Sequence, residues 1–135
     1  MTAKFLWKKL KLVWENNMAK YVDGFVIPVP KKNLAAYKRM AKVGRKIWMK
    51  YGALQYFECV GDELNPGYGL GFPTGLGLKP SETAIFSFII YRSKAHRDAV
   101  NAKVMKDPFM HELPKTMPFD MKRFMFGGFK AIIEG

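Results

Sequence analysis

The chain has 135 residues, of which 49% are apolar and 15% aromatic, which is enough for one domain with one core. No stretch reaches the roughly 18 to 20 uninterrupted apolar residues of a membrane span. Cys59 is the only cysteine, which excludes an internal disulfide and favours a reducing cytoplasm. The formal net charge of +12 indicates either an affinity for anionic partners, nucleic acid among them, or a strongly solvated helix face.

The first seventeen residues differ from the rest, so we expect an extension over 1–17 and a single domain over 18–135. They contain four lysines against one glutamate and a weak apolar stripe at helical spacing, formed by Leu6, Leu10 and Val13. We expect Asn16-Asn17 to end that helix. Two interpretations stay open: an amphipathic helix that binds a surface, or, in a bacterial protein, a mis-called start, with the natural start at Met18 and residues 1–17 outside the native protein. The second arises because Trp14-Glu15 must be encoded by a purine-rich tract of ribosome-binding type.

From Tyr21 to Ile133 one unit occurs twice: an apolar strand, an amphipathic helix and a second apolar strand. The first copy comprises YVDGFVIPV, a helix over Asn33–Tyr51, and ALQYFECV. The second comprises TAIFSFIIYR, a helix over Lys94–Lys106, and RFMFGGFKAII. The order β-α-β-β-α-β predicts an α+β, ferredoxin-like fold with an antiparallel four-stranded sheet.

Capping residues and glycines refine this prediction. We expect Asn33 to cap the first helix and Ser93 the second. Gly44 lies in the apolar stripe of the first helix, which indicates a close approach of helix to sheet. Gly127-Gly128 in the last strand predicts a bulge or a close backbone contact. The glycine-rich segment 61–80 matches no phosphate-binding fingerprint and is either a lid or simply a mobile loop.

The third strand, Ala84–Tyr91, is apolar on both faces apart from Ser87. Two crossover helices cover only one face of a four-stranded sheet, and the other face would be a large exposed apolar patch. We therefore expect a homodimer in which two sheets pack face to face as a dimeric α/β barrel. A ligand could then lie in the interior.

Four sequence blocks carry a family resemblance: DGFVIPVPKKNLAAYKRMA, GALQYFECVGDEL, YRSKAHRDAVNAKVMKDP and MPFDMKRFMFGGFK. They resemble the YbaA-like family of small bacterial proteins of unknown function, over about Tyr21–Ile133. That family is similar to the dimeric α/β-barrel superfamily, whose relatives include small-molecule monooxygenases, isomerases and stress-response proteins. The resemblance implies the same fold and dimer, and it brings no established activity or catalytic residues.

Four polar residues are candidates for catalysis: Asp23, Glu58, Arg92 and His96. Asp23 and Glu58 are acids within apolar strands, so either one needs a partner if it is buried, and Arg92 or Arg123 could provide it. A structural ion pair and a general base are both open interpretations. His96 follows Ser93 at the start of the second helix, where the positive end of the helix disfavours the imidazolium form.

Further charged residues are candidates for ligand binding, namely Arg97, Asp98, Asp120 and Arg123. A cap cluster and an ordinary strand-edge turn are the structural alternatives for these groups. The two histidines, His96 and His111, form no metal-binding pattern, so we expect no metal site and no cofactor.

Two functions are consistent with these patterns. The first is a cytoplasmic homodimer that binds or transforms a small, partly apolar molecule between sheet and helices. The alternative is a non-enzymatic dimer that binds RNA or another anion through the basic helix 31–50, with Lys38, Lys42 and Arg45 in contact with the anion. The sequence is consistent with an enzyme and with a binding protein, and it does not identify the ligand.

Overall fold

The computed structural model describes the backbone of residues 2–135 and the side chains of residues 2–10 and 19–135. Its four helices are α1 (Ala3–Met18), α2 (Leu34–Lys50), α3 (Phe72–Leu76) and α4 (Lys94–Val104). Its four strands are β1 (Tyr21–Pro30), β2 (Gln55–Val60), β3 (Glu82–Tyr91) and β4 (Met125–Lys130). Short 3₁₀ turns cover Lys31–Asn33, Pro108–Glu112 and Met121–Arg123.

The four strands form one sheet in the order β2-β3-β1-β4, and every neighbouring pair is antiparallel. Each of the helices α2 and α4 connects two strands between which a third strand is inserted. This is the ferredoxin-like arrangement, so the predicted α+β fold is confirmed. The pairing of β1 with β4 is continuous from Tyr21↔Lys130 to Val26↔Met125, and the glycine pair therefore forms no bulge.

Helix α2 packs on the sheet through residues spaced three and four apart, which are Tyr37, Ala41, Gly44 and Ile47. Asn33 occupies the N-cap position of α2 as predicted, but its side chain makes no capping bond, and Nδ2 instead donates to the carbonyl of Pro118 (3.0 Å). Ser93 does cap α4 as predicted: its Oγ accepts from the backbone N–H of His96 (3.1 Å). Val100 and Val104 bury the inner side of that helix.

One side of the sheet, here called the open face, is not covered by α2 or α4 and is almost entirely apolar. Residues paired across the strands share a face, so each rung of the ladder can be read off the register. In the order β2, β3, β1, β4 the three open-face rungs are Gln55, Ile90, Val22, Phe129; Phe57, Phe88, Gly24, Gly127; and Cys59, Phe86, Val26, Met125. Phe86 is 51% exposed and Phe129 60% exposed, so the chain does not cover this face itself.

The polar strand residues Asp23, Glu58 and Ser87 lie on the other side, beneath the helices. Asp23 shares a rung with Tyr56, and Glu58 shares the next one with Ser87. Asp23 and Ser87 are almost completely buried. Because burying a polar group without a partner is unfavourable, the partners of these residues identify the candidate sites.

The glycine-rich segment between β2 and β3 has structure of its own. It contains α3, and Arg123 donates from Nη2 to the carbonyls of Leu76 (3.3 Å) and Gly77 (2.9 Å) at the end of that helix. Arg123 also pairs with Glu82 at 2.7 Å, which fixes this end of the segment to β3.

At the N-terminus, the predicted break at Asn16-Asn17 is wrong, because α1 continues through both residues to Met18. The side chain of Val13, part of the predicted apolar stripe, lies outside the described residues. Phe5, Leu6, Trp7 and Leu10 of α1 are exposed. Among the described residues, no helix has both the length and the apolar character that crossing a bilayer requires.

Candidate functional site: a cleft between helix α2 and strand β2

A cleft of about 500 Å³ lies between α2 and the edge strand β2, on the helix-covered side of the sheet. Its apolar lining comes from Leu34, Tyr37, Ala41, Tyr56, Val60 and Ile85. Its polar lining comes from Glu58 and from Lys38, Lys42 and Arg45, which we call the basic edge. The volume falls within the range typical of small-molecule sites.

Glu58 is held in this cleft by two tyrosines. The hydroxyl of Tyr37 donates to Oε2 at 2.7 Å, and the hydroxyl of Tyr56 donates to Oε1 at 2.9 Å. Tyr37 comes from α2, whereas Tyr56 and Glu58 lie two residues apart on β2 and so point to the same side. The arrangement fixes the carboxyl group between helix and strand.

Burial, followed by the neighbouring Glu58, raises the pKa of both Tyr37 and Tyr56 well above the ordinary value for tyrosine. Both phenols therefore stay protonated at neutral pH and act as hydrogen-bond donors. The cleft thus combines fixed donors and one carboxyl group with an apolar wall.

Gly44 leaves the space that the side chain of Tyr56 occupies beneath α2. A Cβ atom at Gly44 would lie 2.9 Å from the Tyr56 hydroxyl oxygen, closer than real Cβ contacts. The predicted close approach of helix to sheet at Gly44 is confirmed, and its physical reason is the tyrosine that reaches across to Glu58.

The basic edge follows from helical spacing. Positions 38, 42 and 45 are four and three residues apart, so their side chains lie along one side of α2. The sequence placed Glu58 and the basic residues in two competing hypotheses, and the structure brings both groups to the same cleft.

Asp23 lies in a second, separate polar cluster beneath α4. Its Oδ1 is 3.5 Å from Nε of Arg97, and that guanidinium also donates to the Tyr21 hydroxyl (3.0 Å). The partners expected for Asp23, Arg92 or Arg123, are therefore wrong. Arg97 occupies the place because it lies one turn into α4, directly above the strand.

Burial raises the pKa of Asp23, and the charge of Arg97 opposes that rise. Asp23 Oδ1 and Arg97 Nε are both buried without a hydrogen bond of good geometry. Gly128 makes room for the cluster, since a Cβ there would overlap the Tyr21 hydroxyl oxygen. Of the predicted glycine pair, Gly128 has a close approach, which is made by side chains, whereas Gly127 has only ordinary contacts.

His96 and Arg92 interact at the start of α4 and do not line the cleft. Nδ1 of His96 accepts from the backbone N–H of Arg92 (3.0 Å), and the ring stands edge-on to Tyr91. Burial, and then the charge of Arg92, lower the pKa of His96, so the neutral form predominates at pH 7. The direction agrees with the prediction, although burial rather than the helix end is the leading cause.

The predicted ligand-binding residues all have partners within the chain. Asp98 lies 3.4 Å from Nη1 of Arg97. Asp120 accepts from the backbone N–H of Lys122 (2.9 Å) and so begins a 3₁₀ turn. Arg97 and Arg123 are engaged by Asp23 and Glu82. The four residues do not converge on one cavity.

The described side chains include no group of three or more His, Cys, Asp or Glu residues that could hold a metal ion. Sequence reasoning missed the two tyrosines that hold Glu58. The signal available was the period of two along β2, which places Tyr56 beside Glu58, and the apolar stripe of α2, which includes Tyr37.

The fold and the cleft define a small α+β protein with a ferredoxin-like sheet and a cleft large enough for a small molecule. Residues 20–121 match the family described as "Protein of unknown function (DUF1428)", and the chain belongs to that family.

The chain is 42% identical over 115 residues to "Uncharacterized protein YbaA" of Escherichia coli strain K12, a match that covers 85% of this chain and 98% of the relative. The corresponding proteins of Escherichia coli O157:H7 and Shigella flexneri match with the same identity and coverage. The family resemblance expected from the sequence is therefore confirmed.

Among solved structures, the crystal structure of AtUAH in complex with glyoxylate matches with a TM-score of 0.36 and 16% identity. This match covers 80% of this chain and 26% of that chain. Similarity at this level bears on neither the function nor the ligand of the present chain.

Proposed function

We propose that this protein binds a small, partly apolar molecule in the cleft between α2 and β2. The observation that carries the proposal is the Glu58 carboxyl group, held by Tyr37 and Tyr56 inside a cleft of about 500 Å³. A buried structural carboxyl group would be enclosed, whereas this one lines an accessible cavity.

The same geometry suggests what the site could do chemically. A carboxyl group that accepts hydrogen bonds from two protonated phenols can accept or relay a proton without a metal. We propose Glu58 as the group that meets the ligand, and we propose no direct role for Asp23, Arg92 or His96, since their contacts lie within the chain elsewhere.

A neutral fluorescent probe, N-phenyl-1-naphthylamine, tests binding in the cleft. We expect saturable fluorescence enhancement with the wild-type protein and its loss in Ala41→Phe, since Ala41 lines the cleft and a phenyl ring there would fill it. Val60→Trp is a second blocking variant at a residue that is more than half exposed, so the core stays intact.

The matched control is Ala35→Phe, the same substitution at an exposed position of the same helix. It should leave the enhancement unchanged. Equal enhancement by wild type, Ala41→Phe and Val60→Trp, with all three folded by circular dichroism, would contradict binding in the cleft.

We further propose that the protein is a homodimer that closes the open face with a second copy. The face offers three rungs of apolar residues, and Phe57 stacks on Phe88 (4.8 Å between ring centroids) to make the patch continuous across strands. A self-complementary patch of this kind fits a twofold interface.

We also propose a cytoplasmic location. Cys59 is the only cysteine of the chain and its thiol is exposed, which fits a reducing compartment.

A further inference from the structure

Among the described side chains, the three cations of the basic edge have no acidic partner. Of the described side chains, none places a carboxylate oxygen within 4.0 Å of the charged nitrogens of Lys38, Lys42 or Arg45. By contrast, Lys50 on the same helix pairs with Asp107 at 2.9 Å, and Lys46 lies over the ring of Phe109.

The rest of the cleft orients a ligand relative to that edge. Glu58 is the only acidic residue among those lining the cleft, and both its oxygens already accept a tyrosine hydroxyl. An anionic group is therefore unfavourable near Glu58 and favourable beside the three cations. Leu34, Val60 and Ile85 leave an apolar surface for the remainder of the molecule.

From this arrangement we propose that the ligand of the cleft is a single-headed anionic amphiphile, with a carboxylate or phosphate group at Lys38, Lys42 and Arg45 and an apolar body on Leu34, Val60 and Ile85. This inference rests on the proposed function, which requires only that a partly apolar molecule enters the cleft. It adds the charge of the head group and its place. Three cations along one helix edge can neutralise and hydrogen-bond either head group.

Four ten-carbon probes with different head groups test the inference: decanoate, decyl phosphate, decanol and decylamine, each below its micelle concentration. We expect the two anions to bind at least tenfold more tightly than decanol, and decylamine to bind most weakly, as measured by displacement of N-phenyl-1-naphthylamine. The comparison of decanoate with decyl phosphate distinguishes a carboxylate from a phosphate ligand.

Two triple variants with the same loss of charge provide the control. Lys38→Gln/Lys42→Gln/Arg45→Gln removes the basic edge, and Lys32→Gln/Arg39→Gln/Lys46→Gln removes two lysines and one arginine from outside the cleft lining. We expect the first to weaken anion binding at least tenfold while decanol binding stays unchanged. The second should retain anion binding within about twofold.

The outcomes separate the two proposals. Equal binding of decanol and decanoate, or equal loss in both triple variants, overturns the anionic head group while leaving the cleft as a site for apolar molecules. Displacement by none of the four probes, together with unchanged dye binding in Ala41→Phe, overturns the proposed function itself. Weak anion binding with steeply salt-dependent binding of an RNA oligonucleotide, lost only in the first triple variant, overturns the amphiphile in favour of RNA.

Discussion

Asp23 and Arg97 form an ion pair that the fold nearly closes off from solvent. The Asp23 side chain is 3% exposed and the Arg97 side chain 21% exposed. The distance of 3.5 Å is long for a charge-assisted hydrogen bond, so the pair relies on charge proximity. Such pairs contribute little net stability when intact, yet removing one partner leaves a buried charge uncompensated.

We therefore expect Arg97→Met to lower the free energy of unfolding by about 3 kcal/mol at pH 7, measured by urea denaturation. Because burial already raises the pKa of Asp23, the folded state binds its proton more tightly than the unfolded chain. The loss should accordingly shrink as the pH falls through the folded-state pKa of Asp23. Adding Asp23→Asn should recover part of the stability.

The control for this pair is Arg92→Met, at an exposed arginine two residues before α4. We expect a change within about 0.5 kcal/mol. A loss in Arg92→Met equal to that in Arg97→Met, or no recovery on adding Asp23→Asn, would argue against the ion pair as the cause.

At the scale of elements, Asp107 joins the end of α2 to the segment that follows α4. Its carboxylate accepts from the Tyr51 hydroxyl, from Lys50 Nζ (2.9 Å) and from the backbone N–H of Phe109 (2.7 Å). These hydrogen bonds lower the pKa of Asp107 to about 2, and the bond from Tyr51 has the largest effect, followed by those from Lys50 and Phe109. The connection is thus an acid-sensitive one.

We expect Asp107→Asn to lower the free energy of unfolding, and this loss should become smaller as the pH falls. A lowered folded-state pKa means that the stabilisation is fully present above the unfolded value of 3.8 and is lost as the pH falls towards about 2. The stability difference between wild type and Asp107→Asn should be constant from pH 5 to 7 and vanish near pH 2. The exposed Asp62→Asn should show no such difference, and a gap that persists at pH 2 would contradict the account.

The effect of Gly44→Ala on stability should depend on whether the Tyr56 hydroxyl is present. Gly44→Ala should gain about 1 kcal/mol of helix propensity. It should also displace the Tyr56 hydroxyl from Glu58, with a net loss of about 1 kcal/mol. In a Tyr56→Phe background the hydroxyl is gone and the next contact, Tyr56 Cζ, is 3.8 Å away, so the same substitution should stabilise. Thermal and urea unfolding of the four proteins measures the cycle, and destabilisation in both backgrounds would refute it.

The elements themselves were predictable because their periods are distinct. Alternation along the strands and the three-and-four spacing of α2 and α4 gave the ferredoxin-like order. Side-chain pairing was not predictable in the same way. Which arginine meets Asp23 depends on the rotation of α4 over the sheet, and a single-chain pattern does not encode that rotation. Local propensity was also an incomplete guide, because it predicted that Asn16-Asn17 would end the helix, whereas α1 continues to Met18.

The protein presents an apolar open face, whereas Asp23, Glu58 and Ser87 lie under the helices. We expect sedimentation equilibrium at micromolar concentration to give about twice the chain mass of 15.5 kDa. Phe57→Glu/Phe129→Glu should give the mass of one chain, because both residues lie on the open face and are 43% and 60% exposed in the single chain. A control with the same charge change, Leu70→Glu/Met105→Glu, alters exposed apolar residues elsewhere and should stay dimeric. A wild-type protein that sediments as one chain would contradict the dimer.

We propose that the ligand binds in the cleft between α2 and β2 rather than on the open face. Backbone amide chemical-shift mapping during a titration of the wild-type protein with decanoate tests this claim most directly. We expect the largest chemical-shift changes in residues 34–45 of α2 and 56–60 of β2, which include most of the cleft lining. Shifts concentrated instead at the strand positions of the open face, such as Val22, Phe88 and Phe129, would contradict it.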